Sequence, residues 1–483
     1  MSITDLISIL PLLVLSSAIV ALMLVIAFLR NHTLTVFLTI LSLASAVLSL
    51  PFSHHLKSTH ITSLLIIDGY SLFYMGLIFI AALFVVILTA GYMEHRSEIK
   101  EELYIFILIA TLGSAVVVSS SHFASLFLGI ESLSVSLYVM IGYLRSRASN
   151  TEASIKYLVT ASVSMAILLF GLSLVYAAAG SMDFSQVAVY IKNNEPNVLL
   201  TAGFALVLVG FGFKLALVPF HFWAADIYQG TSAPITGFIA SVSKGAVFAA
   251  MLRLSLVTAL TTYRPFFIAF AVAAVLSMFA GNFLALLQTS VKRILAYSSI
   301  ANMGYLLVAF LEGGGLATRA VAFYLLGYFI TILTAFGVIS VFSAGTDDLD
   351  DINDYRGLAF KRPWFGGILT VALLSLAGMP LTIGFIGKFY IIYAGASSQL
   401  WLLLIILAIN TLIGLYYYLR IIWVIYSSAT EVKFTWTMLP PRPLLASGLV
   451  LAILIVALVW LGVYPAPVIR LIESTTAFSA LAY

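Results

Sequence analysis

Apolar runs of about twenty residues follow one another along almost the whole chain, separated by short polar stretches. A helix needs about 20 such residues to cross the hydrocarbon core of a bilayer. Backbone groups in lipid must also bond within their own segment, which selects helices here. Scanning on that basis predicts crossings near 5–29, 33–52, 69–92, 103–119, 123–144, 154–179, 198–218, 233–257, 265–287, 294–312, 318–343, 363–392, 399–427 and 442–464, about fourteen in all. The runs 363–392 and 399–427 are long enough to be tilted or broken. No stretch between runs is long enough for a soluble domain. The sequence therefore predicts an all-α polytopic protein with one membrane domain over 1–483.

The pattern is interrupted most sharply between Gly210 and Arg253. Two apolar segments there each carry a lysine away from their ends, Lys214 and Lys244, and Pro219, Gly230 and Pro234 lie between them. A lysine at the centre of a spanning helix costs roughly 2.5–3.5 kcal/mol on insertion scales. Irregular backbone at that depth survives only against protein or a water-filled cavity. Together these costs point to an ion or proton path, the alternative being lysines that snorkel to the interface. The second half repeats the theme in SLAGMPLTIGFIGKFY, where Gly378, Pro380, Gly384 and Gly387 break the run and Lys388 stands beside the break. An interrupted, lysine-bearing helix in each half is the mark of an inverted repeat with its sites near mid-membrane. Lys388 lies 174 residues beyond Lys214; the same step carries Lys244 to Tyr418 and Glu131 to Tyr305, so the halves are chemically unequal. Glu131 is the one carboxylate inside an apolar run, with Ser132, Ser134 and Ser136 near it; it is either part of the path or a structural carboxyl bonded to those serines.

Charge adds an orientation. Only 9% of the 483 residues are charged and 62% are hydrophobic, far from the soluble average of about 25% charged. Alternate loops hold thirteen basic residues on one side (including Arg96, Arg145, Arg147, Lys156, Lys292 and Lys433) and six on the other (Lys57, Lys192, Arg253, Arg264, Arg319 and Arg470). The richer side is expected to be cytoplasmic, with both termini outside. The apolar N-terminus lacks a basic leader and reads as a first crossing, not a cleaved signal. Basic residues sit singly, which predicts no nucleic-acid partner. With no cysteine, disulfides, thiolate zinc sites and cysteine-held iron–sulfur clusters are excluded. None of the seven histidines (His32, His54, His55, His60, His95, His122, His221) falls in the middle of an apolar run, and no P-loop is present. No metal or cofactor site is predicted in the chain. The acidic cluster Asp347, Asp348, Asp350, Asp351 and Asp354 reads as a solvated loop without chemistry.

LFLGIES, GFKLALVPFHFWAADIYQG, VKRILAYSSIANMGYLLVA, SLAGMPLTIGFIGKFY and GLYYYLR together resemble the N-type antiporter-like subunits of bacterial proton-pumping NADH–quinone oxidoreductase, respiratory complex I. Singly, each motif also fits the related L and M types and the large subunits of multisubunit sodium/proton antiporters. The resemblance covers essentially the whole chain. It implies fourteen crossings in two inverted five-helix repeats, with helices 7 and 12 discontinuous: 1–102 for helices 1–3, 103–257 and 265–427 for the repeats, and 442–483 for helix 14 and a tail. It implies a relay of Glu131 on helix 5, Lys214 beside the helix-7 break, Lys244 on helix 8 and Lys388 on helix 12. It implies a place in the bacterial inner membrane, beside the other membrane and peripheral subunits of complex I, with flavin, iron–sulfur clusters and quinone handled by those partners. Relatives often carry histidine near Asn302, so a relay role there is not carried over. The chain ends at Tyr483 without the lateral helix of the L type, which favours the N type.

Desolvation disfavours a charged ammonium and a nearby carboxylate favours it, so moving the carboxylate decides whether the lysine holds its proton. One charge pair is worth about 1.7 kcal/mol at ~10 Å and about 4 at ~4 Å for an effective dielectric of ~20. Moving a proton against ~150 mV costs about 3.5 kcal/mol. The Glu131–Lys214 distance or its hydration is therefore expected to change in the cycle, with protons passing along Lys214, Lys244 and Lys388 by water and hydroxyls such as that of Tyr305. His221, beside the helix-7 break, either leads a proton in or caps the broken helix. Asp226 is expected to pair within its own loop, and Arg420 to snorkel. A sodium/proton antiporter remains the alternative, although it should offer more oxygen ligands at mid-membrane than Glu131 alone.

Overall fold

The structure, a computed structural model, describes residues 3–54, 59–60, 62–94, 96, 98–144, 147–194, 197–343, 348–428 and 441–476. His55, Lys57, His95, Arg145, Asp347 and Lys433 lie outside the described residues, as does the tail from 477.

Fourteen crossings are present among the described residues. They are α1 (Leu10–Phe28), α2 (His32–His54), α3 (Gly69–Met93), α4 (Glu101–Ser119), α5 (Phe123–Ile141), α6 (Ala148–Ala179), α7a (Val198–Leu215) with α7b (Trp223–Gly230), α8 (Ala233–Thr258), α9 (Arg264–Leu286), α10 (Val291–Phe310), α11 (Gly315–Phe342), α12a (Pro363–Ala377) with α12b (Ile383–Ser397), α13 (Trp401–Ile425) and α14 (Pro441–Val463). Among the described residues, thirteen helices are long and apolar enough to cross a membrane, and the broken α12 supplies the fourteenth crossing. Among the described residues the strand structure is a two-stranded pairing of Thr59–His60 with Ile66–Ile67 and three isolated bridges. Sequence reasoning placed α7b in a loop, because eight residues with Asp226 and Gln229 carry no spanning signal.

Both breaks have the same backbone chemistry. Ala216 (φ 57°) ends α7a, with Leu217 N–H bonded to Gly212 O; Gly378 (φ 85°) ends α12a, with Met379 N–H bonded to Leu374 O. Each turns the chain through the left-handed region and satisfies the last carbonyls. Gly378 does so freely, whereas Ala216 bears a Cβ there at about 1–2 kcal/mol. Ser277 on α9 accepts from Val218 N–H, tying the first break to the second repeat.

Burial falls on α8, α10 and α11, while α1, α2, α13 and α14 present leucine, isoleucine, valine and tryptophan outward as a lipid-facing shell requires. The helix pairs α4–α5 and α9–α10 pack alike. A Cβ on Gly113 would meet Gly129 O and Leu133 N, and one on Gly281 would meet Tyr297 O and Ala301 N, so all three positions repeat at 168 residues. This corrects the step of 174. At 168, Glu131 corresponds to Ser299 and Ser134 to Asn302, not Glu131 to Tyr305. Lys214 and Lys388 are not equivalent either: Lys214 closes the half-helix before its break, whereas Lys388 lies on the half-helix after its own.

Three charge assignments also change. Arg253 is not a loop residue. It is 1% exposed on α8, with both guanidinium ends on the Asp68 carboxylate (2.7 and 3.0 Å) and the Tyr70 ring 4.6 Å away. Asp68 in turn caps α3, so this pair fastens α3 to α8. Asp226 pairs with Arg293 (2.7 Å) and Lys156 (3.2 Å) on other helices, not within its loop. Asp348 is not solvated: its side chain is 5% exposed, bonded to Lys292 (2.8 Å), Tyr92 (2.5 Å) and Arg147 (3.3 Å). Lys292 also donates to Thr231 O (2.8 Å), so the cluster joins α3, α7b and α10.

Burial alone would push the Asp348 carboxyl up, but the Lys292 charge, the Tyr92 hydroxyl and the Arg147 charge outweigh it and hold it below the usual carboxylate range. A depressed carboxyl stabilises the fold above its unfolded value, and that contribution disappears as pH falls through the folded value. Asp348→Asn leaves Lys292 buried without its counter-charge. Such a break costs about 3–5 kcal/mol, read as a lowered thermal midpoint of the purified complex and weaker dependence of that midpoint on acid pH.

Candidate functional site

The site begins on α5. Ser134 is buried one turn after Glu131 and donates its proton to Ile130 O (2.5 Å), which leaves its lone pairs for a donor. Lys214, in the last turn of α7a, fills that place at 2.6 Å. The Lys214 side chain is 3% exposed, so it does not snorkel. Glu131 acts electrostatically on Lys214 but makes no ion pair with it among the described residues. Nor do Ser132, Ser134 or Ser136 bond the Glu131 carboxylate: Ser136 turns back to Ser132 O. The sequence places Ser134 beside Glu131, but its bond to Lys214 depends on where α7a ends.

Aromatic rings carry the row onward. Lys214 Nζ lies 5.6 Å from the Tyr157 ring on α6, Tyr157 packs at 5.0 Å on Trp223 of α7b, and Trp223 lies 6.0 Å from Lys244 Nζ. The Trp223 indole donates to Phe213 O (2.9 Å), so α7b is held to the end of α7a. Lys244 follows a single π-helical turn, Ile239–Ser243, within α8. It is fully buried, donates to Ser299 on α10 (2.7 Å), and faces Tyr228 at 5.4 Å. Ser299 is the residue that occupies the place of Glu131 in the second repeat.

From Ser299 the polar row continues on α10. Ser298 bonds Tyr418 on α13 and receives Asn302 Nδ2, and Asn302 Oδ1 accepts from Tyr324 (2.6 Å) on α11. Asn302, Tyr324, Ser375 and Lys388 line a cavity of about 10 Å³. That is close to the room one water needs. Lys388 Nζ donates to Leu376 O and Ala377 O, both at 3.0 Å, so the cation sits on the open C-terminus of α12a. The Tyr305 ring faces Lys388 at 5.1 Å, while its hydroxyl accepts from Asn282 on α9.

His221 is buried in the first break with Nδ1 unpartnered among the described residues. α7b has no side-chain cap, so the His221 imidazole does not cap it, although the His221 carbonyl accepts from Ala224 N–H (3.0 Å) in its first turn. His122, by contrast, does cap α5. Arg420 reaches Leu286 O and Gln288 O at the end of α9. A polar vestibule of about 560 Å³ lies over α7b, lined by Arg147, Lys156, Asp226, Thr231, Lys292 and Asp348 among others. No group of histidine, aspartate and glutamate fit to hold a metal occurs among the described residues.

Buried lysines beside two helix breaks, linked by hydroxyls and rings, form a polar row through an otherwise apolar interior. The profile described as NADH:quinone oxidoreductase/Mrp antiporter, TM, matches residues 120–414. The chain belongs to this family. A protein of Methylococcus capsulatus named NADH-quinone oxidoreductase subunit N is 41% identical over 96% of this chain and 93% of its own length. A chain of respiratory complex I from Thermus thermophilus superposes with a TM-score of 0.82 at 32% identity, over 95% of this chain and 98% of that one. A chain of the Mrp complex from Dietzia sp. DQ12-45-1b reaches 0.83 at 20% identity, over 99% and 97%, a likeness of fold alone. The family match covers both helix breaks and all four residues Glu131, Lys214, Lys244 and Lys388.

Proposed function

We propose that this chain is the N-type membrane subunit of a bacterial NADH:quinone oxidoreductase and moves protons across the membrane, driven by electron transfer in partner subunits. The observation that carries the reading is the row of three buried lysines, each on a different neutral partner: Ser134, Ser299 and the α12a carbonyls. A lysine so placed holds a proton without a permanent counter-charge and can give it up.

In this reading Glu131 sets the charge state of Lys214, and Ser134 is the neutral partner to which Lys214 turns when the carboxylate is distant. Lys244 and Lys388 pass the proton on through Ser299, Asn302, Tyr324 and water. Tyr305 steers Lys388 with its ring, while its hydroxyl belongs to the Asn282 network. Between Lys214 and Lys244 stand the rings of Tyr157 and Trp223, which carry no proton themselves, so that step needs water to enter. His221 is a candidate for entry, its Nδ1 open to a water. The repeats divide at 103–257 and 265–427, between helices 1–3 (1–102) and helix 14 (442–483). The vestibule face, rich in basic residues, is cytoplasmic, and the termini lie outside. Flavin, iron–sulfur clusters and quinone belong to the partners.

The test is purification through a tag on this chain, followed by NADH-driven proton uptake in sealed vesicles with a pH-sensitive dye. The expected result is co-purifying flavin and iron–sulfur subunits and NADH-dependent acidification. Isolation with carrier subunits only, and sodium-dependent proton exchange without NADH, would replace this reading by the antiporter.

A further inference from the structure

A second cavity, of about 670 Å³, opens at the opposite end of the protein from the vestibule. One wall is the short helix Phe184–Asn193; the others are the start of α7a, the end of α8 and the start of α9. The helix is too short to cross a membrane and has an apolar side. Phe184 and Val187 are buried, and the Phe184 ring packs at 5.2 Å on Phe123. It is pinned at its start by Asp183, which accepts from Ser185 and Gln186 N–H. Such a helix lies along the interface, with its apolar side at the boundary of headgroups and chains.

The cavity behind it is mostly apolar, lined by Val189, Leu200, Phe204, Val257, Leu260 and Phe266. Its threonine hydroxyls are already engaged: Thr201 bonds Asn197 O, Thr258 bonds Leu254 O and Thr262 bonds Ala259 O. No carboxylate lines it among the described residues. Its one charged lining residue is Lys192, which is exposed at the rim and makes no ion pair among the described residues. Arg264, at the start of α9 beside the lining residue Tyr263, is also exposed and makes none among them.

We infer that this groove binds an anionic glycerophospholipid, with an acyl chain against Phe204 and Phe266 and the phosphate at Lys192. The volume falls within the range of about 300–1,000 Å³ typical of ligand sites. A basic rim over an apolar slot at the interface suits one anionic headgroup with its chain. Because the slot touches the ends of α7a and α8, the lipid packs against the two helices that carry Lys214 and Lys244.

The assembled complex, purified and stripped of loose lipid, is titrated with phosphatidylglycerol or phosphatidylcholine of matched chains and read by native mass spectrometry. Wild type is expected to retain phosphatidylglycerol in preference. Lys192→Ala should weaken that preference roughly fivefold and Lys192→Glu more, as one or two charges near the surface require. Ala188→Trp, which fills the slot, should exclude both lipids, and Lys361→Glu on the other face should change nothing. No preference in wild type, or an unchanged preference in Lys192→Ala, overturns the inference. A photo-crosslinker at Val189 that bonds a partner subunit instead of lipid overturns it as well. Since the readout is lipid retention, it is independent of whether the complex pumps protons.

Discussion

Lys214→Ala is expected to lower NADH-driven proton uptake in sealed vesicles by on the order of a hundredfold, with the complex still assembled. A positioned proton carrier contributes about 10²–10⁴ to the step it serves. Lys214 makes one side-chain hydrogen bond, to Ser134, and no ion pair among the described residues, so its removal breaks no direct ion pair. Lys214→Arg separates carriage from charge. Arginine keeps the positive charge but does not deprotonate in proteins. If Lys214 carries the proton, arginine fails as alanine does; if a fixed cation is all the site needs, arginine restores uptake. Glu131→Gln should give a comparable fall, because without the carboxylate nothing recharges Lys214 after it discharges. Full uptake by Lys214→Ala in an assembled complex would end the relay reading at its first member.

How far the sequence reaches is seen residue by residue. The crossings were legible because lipid imposes one length and one polarity on every spanning helix. The lysines were legible because a charge in that setting is rare and costly. The breaks at Pro219 and Gly378 were visible as interruptions, but α7b was not, since eight residues are far too few to give a spanning signal of their own. Arg253 was hidden by its position near a helix end, where a basic residue normally meets water; only the fold shows that Asp68, 185 residues away in sequence, comes to meet it. Asp348 was hidden among neighbouring aspartates, and its burial depends on Lys292 and Arg147 arriving from other helices. The register of the repeat was mistaken because it was set by matching lysine to lysine. Packing sets it instead: Gly113 and Gly281 allow the same close helix approach, and the chemistry then differs at equivalent places.

That register makes Ser299→Glu the most telling exchange in the second repeat. It builds on Lys244 the carboxylate that Glu131 supplies near Lys214. Ser299 already accepts from Lys244 at 2.7 Å, so the new carboxylate arrives in contact with the ammonium. A pair at ~4 Å and an effective dielectric of ~20 is worth about 4 kcal/mol, close to a thousandfold in proton affinity. Lys244 would then stay charged through the cycle, and proton uptake should fall by on the order of a hundred- to a thousandfold. Ser299→Ala should act much less, because it removes one neutral partner while the Tyr228 ring remains at 5.4 Å. Under the proposed relay, the serine of the second repeat and the glutamate of the first have different tasks. A carboxylate that shifts toward and away from Lys214 is a switch, whereas one in contact with Lys244 is a trap. Undiminished uptake by Ser299→Glu would mean that Lys244 need not discharge, leaving it a fixed charge and moving the proton's route to Tyr228 and water.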